Sequence, residues 1–461
     1  MYKKWQSKLT GSKQALSSRL AKDKKFFFHF YVVVGFLIAI SYHLIANQSM
    51  DENLANVAFD ILIRVEKHFA VKEEQRQSPV YFFDIDHQTF KKWGEPLQTP
   101  RDKVAGLVEA AWRNNSKVVV LDILLDKTDC CNVAGDKKLR GLLEKMLRDN
   151  AQTKVIFPVA VGVDGERKLN IYDDLIDKKS ANGEQIFFRG IPAVSASAKD
   201  LINRYWAAFA KGRSPKNNTS EILWSSPLLA AAIYENNLSQ LDDAAAKLLS
   251  NQDAKGKTTV TLGGKKLVIP LNRSEHRAEI YTQRIRFRLI PPTAPYYESN
   301  LLPVMRMAGV IESVGFNAFK EDLAGKIVII GNSSPDTWDI RQTPIGRLPG
   351  MYVVGNAVNT IVSGAQPVQT HWWISLMVEG AVIILAAFLF ARVSSMAAQS
   401  ATSAIFLTIA LPVSWYLFSR WGLFFNFVIP VFGMSIITKI NELLNRDSAN
   451  SNGKGMPDAN Y

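Results

Sequence analysis

The sequence predicts an α/β fold with a mainly parallel sheet flanked by helices, a mixed insertion, and four transmembrane helices, one N-terminal and three C-terminal. Three observations predict it. Apolar residues concentrate in uncharged blocks at the two ends of the chain. Between those blocks, short Val- and Ile-rich runs alternate with helical stripes, the order that builds parallel units. The overall hydrophobic content of 47% is that of an ordinary globular protein, so distribution and not composition carries the reading.

Residues 1–25 read as a basic cytoplasmic tail, with Lys3, Lys4, Lys8, Lys13, Arg19, Lys22, Lys24 and Lys25 set against Asp23 alone. They hold more than half of the net charge of +13. Basic residues before a first helix stay on the cytoplasmic side and favour anionic headgroups, so the charge points to a membrane. No basic and aromatic interleaving suggests base stacking, and a nucleic-acid partner is not expected. Phe26 to Ala46 contains no Lys, Arg, Asp or Glu and at about 1.5 Å per residue would span a hydrocarbon core of about 30 Å. The run continues through Ser41-Tyr42-His43-Leu44 where a cleaved signal peptide would show small residues, so it is read as an uncleaved first helix, 26–46.

Residues 47–370 read as one large extracytoplasmic domain. Ser78 to Asp86 has the look of a buried strand. Thr99-Pro100-Arg101-Asp102 offers an N-cap, a first-turn proline and a first-turn acid, and Val104, Leu107, Val108, Ala111 and Trp112 follow at helical spacing. Lys117 to Leu125 is a second buried strand. Leu139, Leu142, Leu143, Met146 and Leu147 make another helical stripe, and Thr153 to Val161 another strand. Residues from about 165 to 300 read as an insertion, with strands at Thr258 to Leu262 and Lys266 to Pro270, and with Arg284 to Leu289 as an edge or half-exposed strand bearing arginines on one face. Gly325 to Gly331 is a further short strand and Met351 to Ser363 a helix.

Residues 371–392, 401–419 and 422–438 form three more apolar blocks separated by turns, hence antiparallel neighbours, with 439–461 as a short cytoplasmic tail. Trp372, Trp373 and Trp421 would then sit at the outer interface. Glu379 falls inside the second span, where a carboxylate should face the bundle for proton or ion coupling or be satisfied by a neighbouring helix. The only cysteines, Cys130 and Cys131, are adjacent. A redox switch, a bridge between protomers, or two thiols or a strained ring in a surface loop all fit that spacing.

Ligands of parallel sheets lie beyond the carboxyl ends of the strands. Asp84 and Asp86 end the first strand, Asp122 lies in the second with Asp126 after it, and Arg101 opens the helix between them. A loop rich in hydroxyls and carboxylates, with Ser333, Asp339 and Thr343, follows the late strand. Asp122 reads as a buried carboxylate held by backbone N–H groups or by Arg101, or as part of a site. Asp84, Asp86, Asp126 and Asp339 could gather a divalent cation, leaving a metal open. No His, Ser or Cys joins them as a nucleophile, so a hydrolase is the weakest reading and no enzyme activity is expected.

Phe83-Asp84-Ile85-Asp86, Trp93-Gly94, Pro100-Arg101, Leu121-Asp122-Ile123 and the stretch Gly325-Lys326-Ile327-Val328-Ile329-Ile330-Gly331, Asp339, Thr343-Pro344, Pro349-Gly350 and Asn356-Ala357 carry a family resemblance. With Asp60 after the first helix, they resemble the CHASE type 2 domains, extracytoplasmic sensory modules of bacterial nucleotide cyclases, histidine kinases and related receptors. Two departures stand out: Val354-Gly355-Asn356 replaces the family's His-Ala-Asn element, and only Lys439 to Tyr461 follow the last span, too few to bury a core. The resemblance implies a receptor-like protein of the bacterial inner membrane, both termini cytoplasmic and the large domain periplasmic. It would bind an unknown small ligand or envelope protein outside and pass the signal through its helices to a separate cytoplasmic or membrane partner, as a homodimer if it follows the habit of such receptors. No cofactor is expected. The alternative is a structural or assembly protein of the envelope whose outer domain is a docking surface.

Overall fold

The computed structural model describes residues 24–45, 48–69, 78–128, 133–162, 165–192, 194–196, 200–250, 257–270, 280–289, 304–306, 323–334, 339–370, 372–392, 400, 404, 408 and 411–424. Two compact units result, one of residues 1–62 with 367–461 and one of residues 63–366. Helices α1 (Lys24–Ile45) and α2 (Gln48–Phe69) come first, and the division falls within α2, whose last turns belong to the larger unit.

In the larger unit strands and helices alternate as the apolar pattern demands. Strand β1 (Val80–Ile85) leads through the short α3 (His87–Lys92) to α4 (Arg101–Arg113), β2 (Val118–Asp122), α5 (Val133–Arg148), β3 (Lys154–Pro158), α6 (Asp173–Ile176) and β4 (Phe187–Gly190). The start of α4 differs by one residue from the sequence expectation: Pro100 is the N-cap, with no side-chain cap, and Thr99 lies outside. Proline's fixed φ suits either position, so spacing alone could not tell them apart.

The insertion contributes β5 (Val194–Ala196), β6 (Asn203–Arg213), β7 (Ser220–Trp224), α7 (Ser226–Tyr234), α8 (Leu238–Ser250), the hairpin β8 (Lys257–Leu262) and β9 (Lys265–Pro270), and β10 (Ile280–Arg284). Strands β5, β7 and β10 all pair antiparallel with the long β6. Helix α7 starts where it does because the Ser225 hydroxyl accepts from Leu228 N at 3.4 Å and Pro227 follows in the first turn. The chain then adds β11 (Val304–Arg306), β12 (Ile327–Asn332), the hairpin β13 (Ile340–Thr343) and β14 (Gly346–Pro349), and α9 (Gly350–Ser363), which ends at Gly364 with φ 66°.

The main sheet has six strands in the order β11-β1-β12-β2-β3-β4, and every pairing is parallel. Alternation decides what each face touches. Phe83, Ile85, Val119, Leu121, Val328 and Ile330 join the apolar core with Val104, Leu107 and Val108 of α4 and Leu139, Leu143 and Met146 of α5. The residues between them, including Phe82 and Ile329, meet α9, which comes so close at Gly355 that a β-carbon there would strike the Phe82 ring.

One expectation fails just after β10. The strand ends at Arg284, and residues 285–289 are buried and not half-exposed, with Arg286 fully enclosed and Arg288 nearly so. The alternation was real, but the arginine face is covered. Arg286 donates through Nε to both oxygens of Glu66 on α2, at 3.0 and 2.9 Å, and through Nη2 to Oε1, while Arg288 Nε reaches the same carboxylate at 3.2 Å. Helix α9 holds the segment from the other side. Leu289 N donates to Asn356 Oδ1 and Asn356 Nδ2 to Leu289 O, both at 2.7 Å, and Arg286 N donates to Thr360 Oγ1 at 3.0 Å.

In the smaller unit β15 (Val368–Gln369) pairs parallel with β16 (Leu423–Phe424), and α10 (Trp372–Phe390) packs on α1. Close approach of these helices rests on glycine: a β-carbon on Gly35 would lie within 3.3 Å of Ile383 Cγ1, and one on Gly380 within 2.9 Å of Phe36 Cζ. Phe59 of α2 meets Phe418 of α11 (Leu411–Trp421) edge-on at 5.9 Å.

The four transmembrane helices expected from the sequence are not borne out: among the described residues no helix is long and apolar enough to cross a membrane. Helix α11 has 11 residues, a rise of about 16 Å against a hydrocarbon core of about 30 Å, and residues 401–403, 405–407 and 409–410 of the expected third span lie outside the described residues. Helix α10 has 19 residues, about 28 Å, and carries the buried carboxylate Glu379 along its length. In α1 the apolar run begins only after Lys24 and Lys25 and includes His29. Residues 425–438 of the expected fourth span, the two tails and the Cys130–Cys131 pair lie outside the described residues, apart from Lys24 and Lys25 at the start of α1.

Removing the Glu66 carboxylate would leave two arginines facing each other in the interior. Glu66→Ala should therefore cost the larger unit about 3–5 kcal/mol, read as a fall in the denaturant midpoint of the full-length protein at unchanged slope.

Candidate functional site

The carboxyl ends of β1, β12 and β2 are level with one another. Asp84 pairs in register with Gly331, and Gly331 with Asp122, so two carboxylates flank a residue without a side chain. Neighbouring strands lie about 4.8 Å apart, which puts the two aspartate backbones near 10 Å from each other with open space over the glycine. Met351, in the first turn of α9, fills that space. A β-carbon on Gly331 would lie 2.6 Å from Met351 Cβ and 3.4 Å from Asp122 Cβ.

Helix α9 thus starts directly over the strand ends. Its N-cap, Pro349, offers no side-chain acceptor. Tyr352 in that turn donates its hydroxyl to Asp84 Oδ2 at 2.9 Å, and both groups are buried. Asp339, just before β13, accepts the Gly350 amide on its backbone oxygen at 2.9 Å and lays its carboxylate against Gly350, where any β-carbon would collide with it. Arg341 binds the same carboxylate from the solvent side, through Nε at 2.8 Å and Nη2 at 2.7 Å.

Of the candidate residues, three therefore meet here: Asp84, Asp122 and Asp339. Asp86 does not. It leaves the strand and caps α3, accepting Thr89 N at 2.9 Å and Thr89 Oγ1 at 2.7 Å. Arg101 does not hold Asp122. Buried at the start of α4, it donates through Nη2 to Leu124 O at 3.1 Å and brings Nε to 3.9 Å from Asp136 Oδ1. Thr343 closes the turn between β13 and β14 by donating to Gly346 O at 2.6 Å, and Ser333 donates its amide to Ile85 O at 3.2 Å at the rim. Asp126 is exposed. Among the described residues no group of three His, Cys, Asp or Glu side chains could hold a metal ion.

Tyr352 and Arg341 were not identified from the sequence. Tyr352 sits in an apolar helix where a phenol reads as core, and Arg341 lies in a four-residue strand of a loop. The Asp-x-Arg spacing, which places both charges on one side of an extended segment, was the available signal.

The electrostatics follow from crowding. Asp122 keeps a little exposure, yet protein surrounds it, and burial pushes its carboxyl up to about 7, with Asp339 adding to the rise and Arg341 opposing it. Burial likewise raises Asp339, against the pull of Arg341. Asp122, buried beside a second carboxyl, can take up or release a proton near neutrality.

A family model described as the CHASE2 domain matches residues 33–392. No curated protein and no solved structure matches the chain.

A carboxyl whose folded pKa lies above its unfolded value of about 3.9 stabilises the fold below that value and loses its contribution as pH rises through about 7. Asp122→Asn should accordingly raise the melting temperature of the full-length protein at pH 8, and the difference from the parent should shrink between pH 7 and pH 4. A difference that is flat across that window would show that Asp122 ionises as freely as in the unfolded chain.

Proposed function

The chain belongs to the CHASE2 domain family, a family of extracytoplasmic sensory domains, and from that premise we propose that it is a sensor whose larger unit binds an envelope signal at the carboxyl ends of β1, β12 and β2 and passes it to a separate partner. The observation that carries this reading is the convergence of Asp84, Asp122 and Asp339 on the first turn of α9, where three carboxylates face one guanidinium and one phenol. Such a site favours a small ligand bearing an ammonium or several donor groups, because among the described side chains the carboxylate oxygens that accept outnumber the donors, Arg341 and Tyr352. No catalytic step is part of the proposal.

Transmission has a physical route within the larger unit. A ligand that pulls on Asp339 or Tyr352 acts on the start of α9. Further along the same helix, Asn356 and Thr360 hold the segment 286–289, whose arginines grip Glu66 near the end of α2. A shift of α9 would thus reach α2 through hydrogen bonds and an ion pair.

The reading is tested by thermal melts of the full-length protein with putrescine, lysine, Mg²⁺ and Ca²⁺ as probes. A probe at 100 times its dissociation constant should stabilise by about 2.7 kcal/mol. We expect at least one to raise the melting temperature of the parent and of Asp86→Ala, which loses a helix cap worth about 1 kcal/mol, but not of Asp339→Asn. An Asp339→Asn protein that responds as strongly as the parent would remove the site. Silence of the parent toward all four would favour the docking-surface alternative.

A further inference from the structure

The opposite end of the main sheet holds a second feature that the sensory reading does not use. A groove of about 660 Å³ opens at the amino ends of β2, β3 and β12, within the range of roughly 300–1,000 Å³ typical of small-molecule sites. Three helices end at it. Asn115 follows α4, Asn150 follows α5 and Asn236 follows α7, all three with left-handed backbones at φ 56°, 50° and 56°. Asparagine is a tolerated choice at such a position and glycine a better one, so the turns alone do not require the amides; Asn150 Oδ1 accepts Asn182 N at 3.1 Å, which leaves those of Asn115 and Asn236.

The lining is neutral as well as polar. Lys117 and Lys154 are the cations, and both are engaged, Lys117 Nζ with Tyr234 O and Lys154 Nζ with Glu184 Oε2, each at 2.8 Å. Asp149 and Glu184 balance them in charge. Trp112, half-buried against the main core with Lys145 Nζ 5.9 Å over its ring, adds the remaining part of its indole to the wall. Ser116, also in the wall, is 2% exposed, and its hydroxyl has no hydrogen-bond partner among the described residues. A buried hydroxyl left so is costly unless something supplies a partner.

Neutral amide donors and acceptors and an indole surface match one ligand chemistry, while the Ser116 oxygen itself is enclosed behind them. A sugar ring offers hydroxyls to the amides and an apolar C–H face to the tryptophan, and carries no charge for the groove to neutralise. We propose that this amino-end groove binds a neutral saccharide, with Asn115, Asn236 and Trp112 as its recognition residues.

The test exploits the backbone. Asn115→Gly with Asn236→Gly keeps both left-handed turns and removes only the amides, so the double variant should melt within a degree or two of the parent. Calorimetric titration of the full-length proteins would use maltotriose, cellotriose and chitotriose, with trigalacturonate as the charged control. We expect one neutral trisaccharide to bind the parent, the double glycine variant to bind it about tenfold or more weakly, and Trp112→Ala to lose binding, while Asp339→Asn binds as the parent does. No binding of any neutral trisaccharide up to about 10 mM, undiminished binding by the double glycine variant, or preference for trigalacturonate would each overturn the proposal.

Discussion

The site exists because a strand from late in the chain is hydrogen-bonded between two strands from its beginning. β12 pairs with β1 on one side and β2 on the other over five and more residues, and this parallel insertion sets the level of everything above it. Had β1 and β2 been neighbours, Asp84 and Asp122 would have stood about 4.8 Å apart, and their mutual repulsion would have fallen on the sheet itself. Gly331 separates them and leaves the room into which Met351 fits. The same connection fixes α9, because the hairpin β13–β14 returns the chain to the strand ends and the helix has to start there.

Close approach has an electrostatic consequence. The first turn of α9 carries unsatisfied amides and a partial positive charge, which favour a nearby carboxylate. Asp339 takes that place and is also paired with Arg341, yet its carboxyl is held above the ordinary value. Burial against Gly350 therefore outweighs both favourable terms. Asp122, with no arginine of its own in hydrogen-bonding contact, is raised further. The site stores unfavourable charge, which is what a group that must respond to a cation or a proton requires.

The parallel α/β layer was legible because burial on both faces of a strand leaves an apolar run that nothing else explains, as at Val118–Asp122 and Ile327–Asn332. The carboxyl-end rule pointed to Asp84, Asp122 and Asp339, which the fold brings to one place, since carboxylates ending such runs are conspicuous. It pointed equally to Asp86, Arg101 and Thr343, which lie apart because the same residue types also cap helices and close turns, and a one-residue step from strand to helix after Ile85 decides which they do. Tyr352 was hidden by an apolar helix. The arginines at 286 and 288 were read as half-exposed because their partner, Glu66, lies 220 residues earlier, and no local pattern reports a covering that distant. The membrane spans were read from hydropathy, which counts apolar residues but says neither how many continue as one helix nor where Glu379 points.

The ion group at Glu66 argues for transmission over simple bracing. One carboxylate shared by two arginines is costly to desolvate, and apolar residues of the same volume would hold α2 in place with less desolvation. What an ion group adds is geometry: Arg286 meets the carboxylate as a fork, which accepts small displacements poorly. Its backbone amide is tied to Thr360 on α9, so the helix that begins at the acidic site and the helix that precedes the sheet cannot shift independently. A packed apolar contact would let α9 slide by fractions of an ångström without consequence. Directional bonds would convert the same movement into strain on Glu66, which is the conversion that the proposed transmission requires and a scaffold does not.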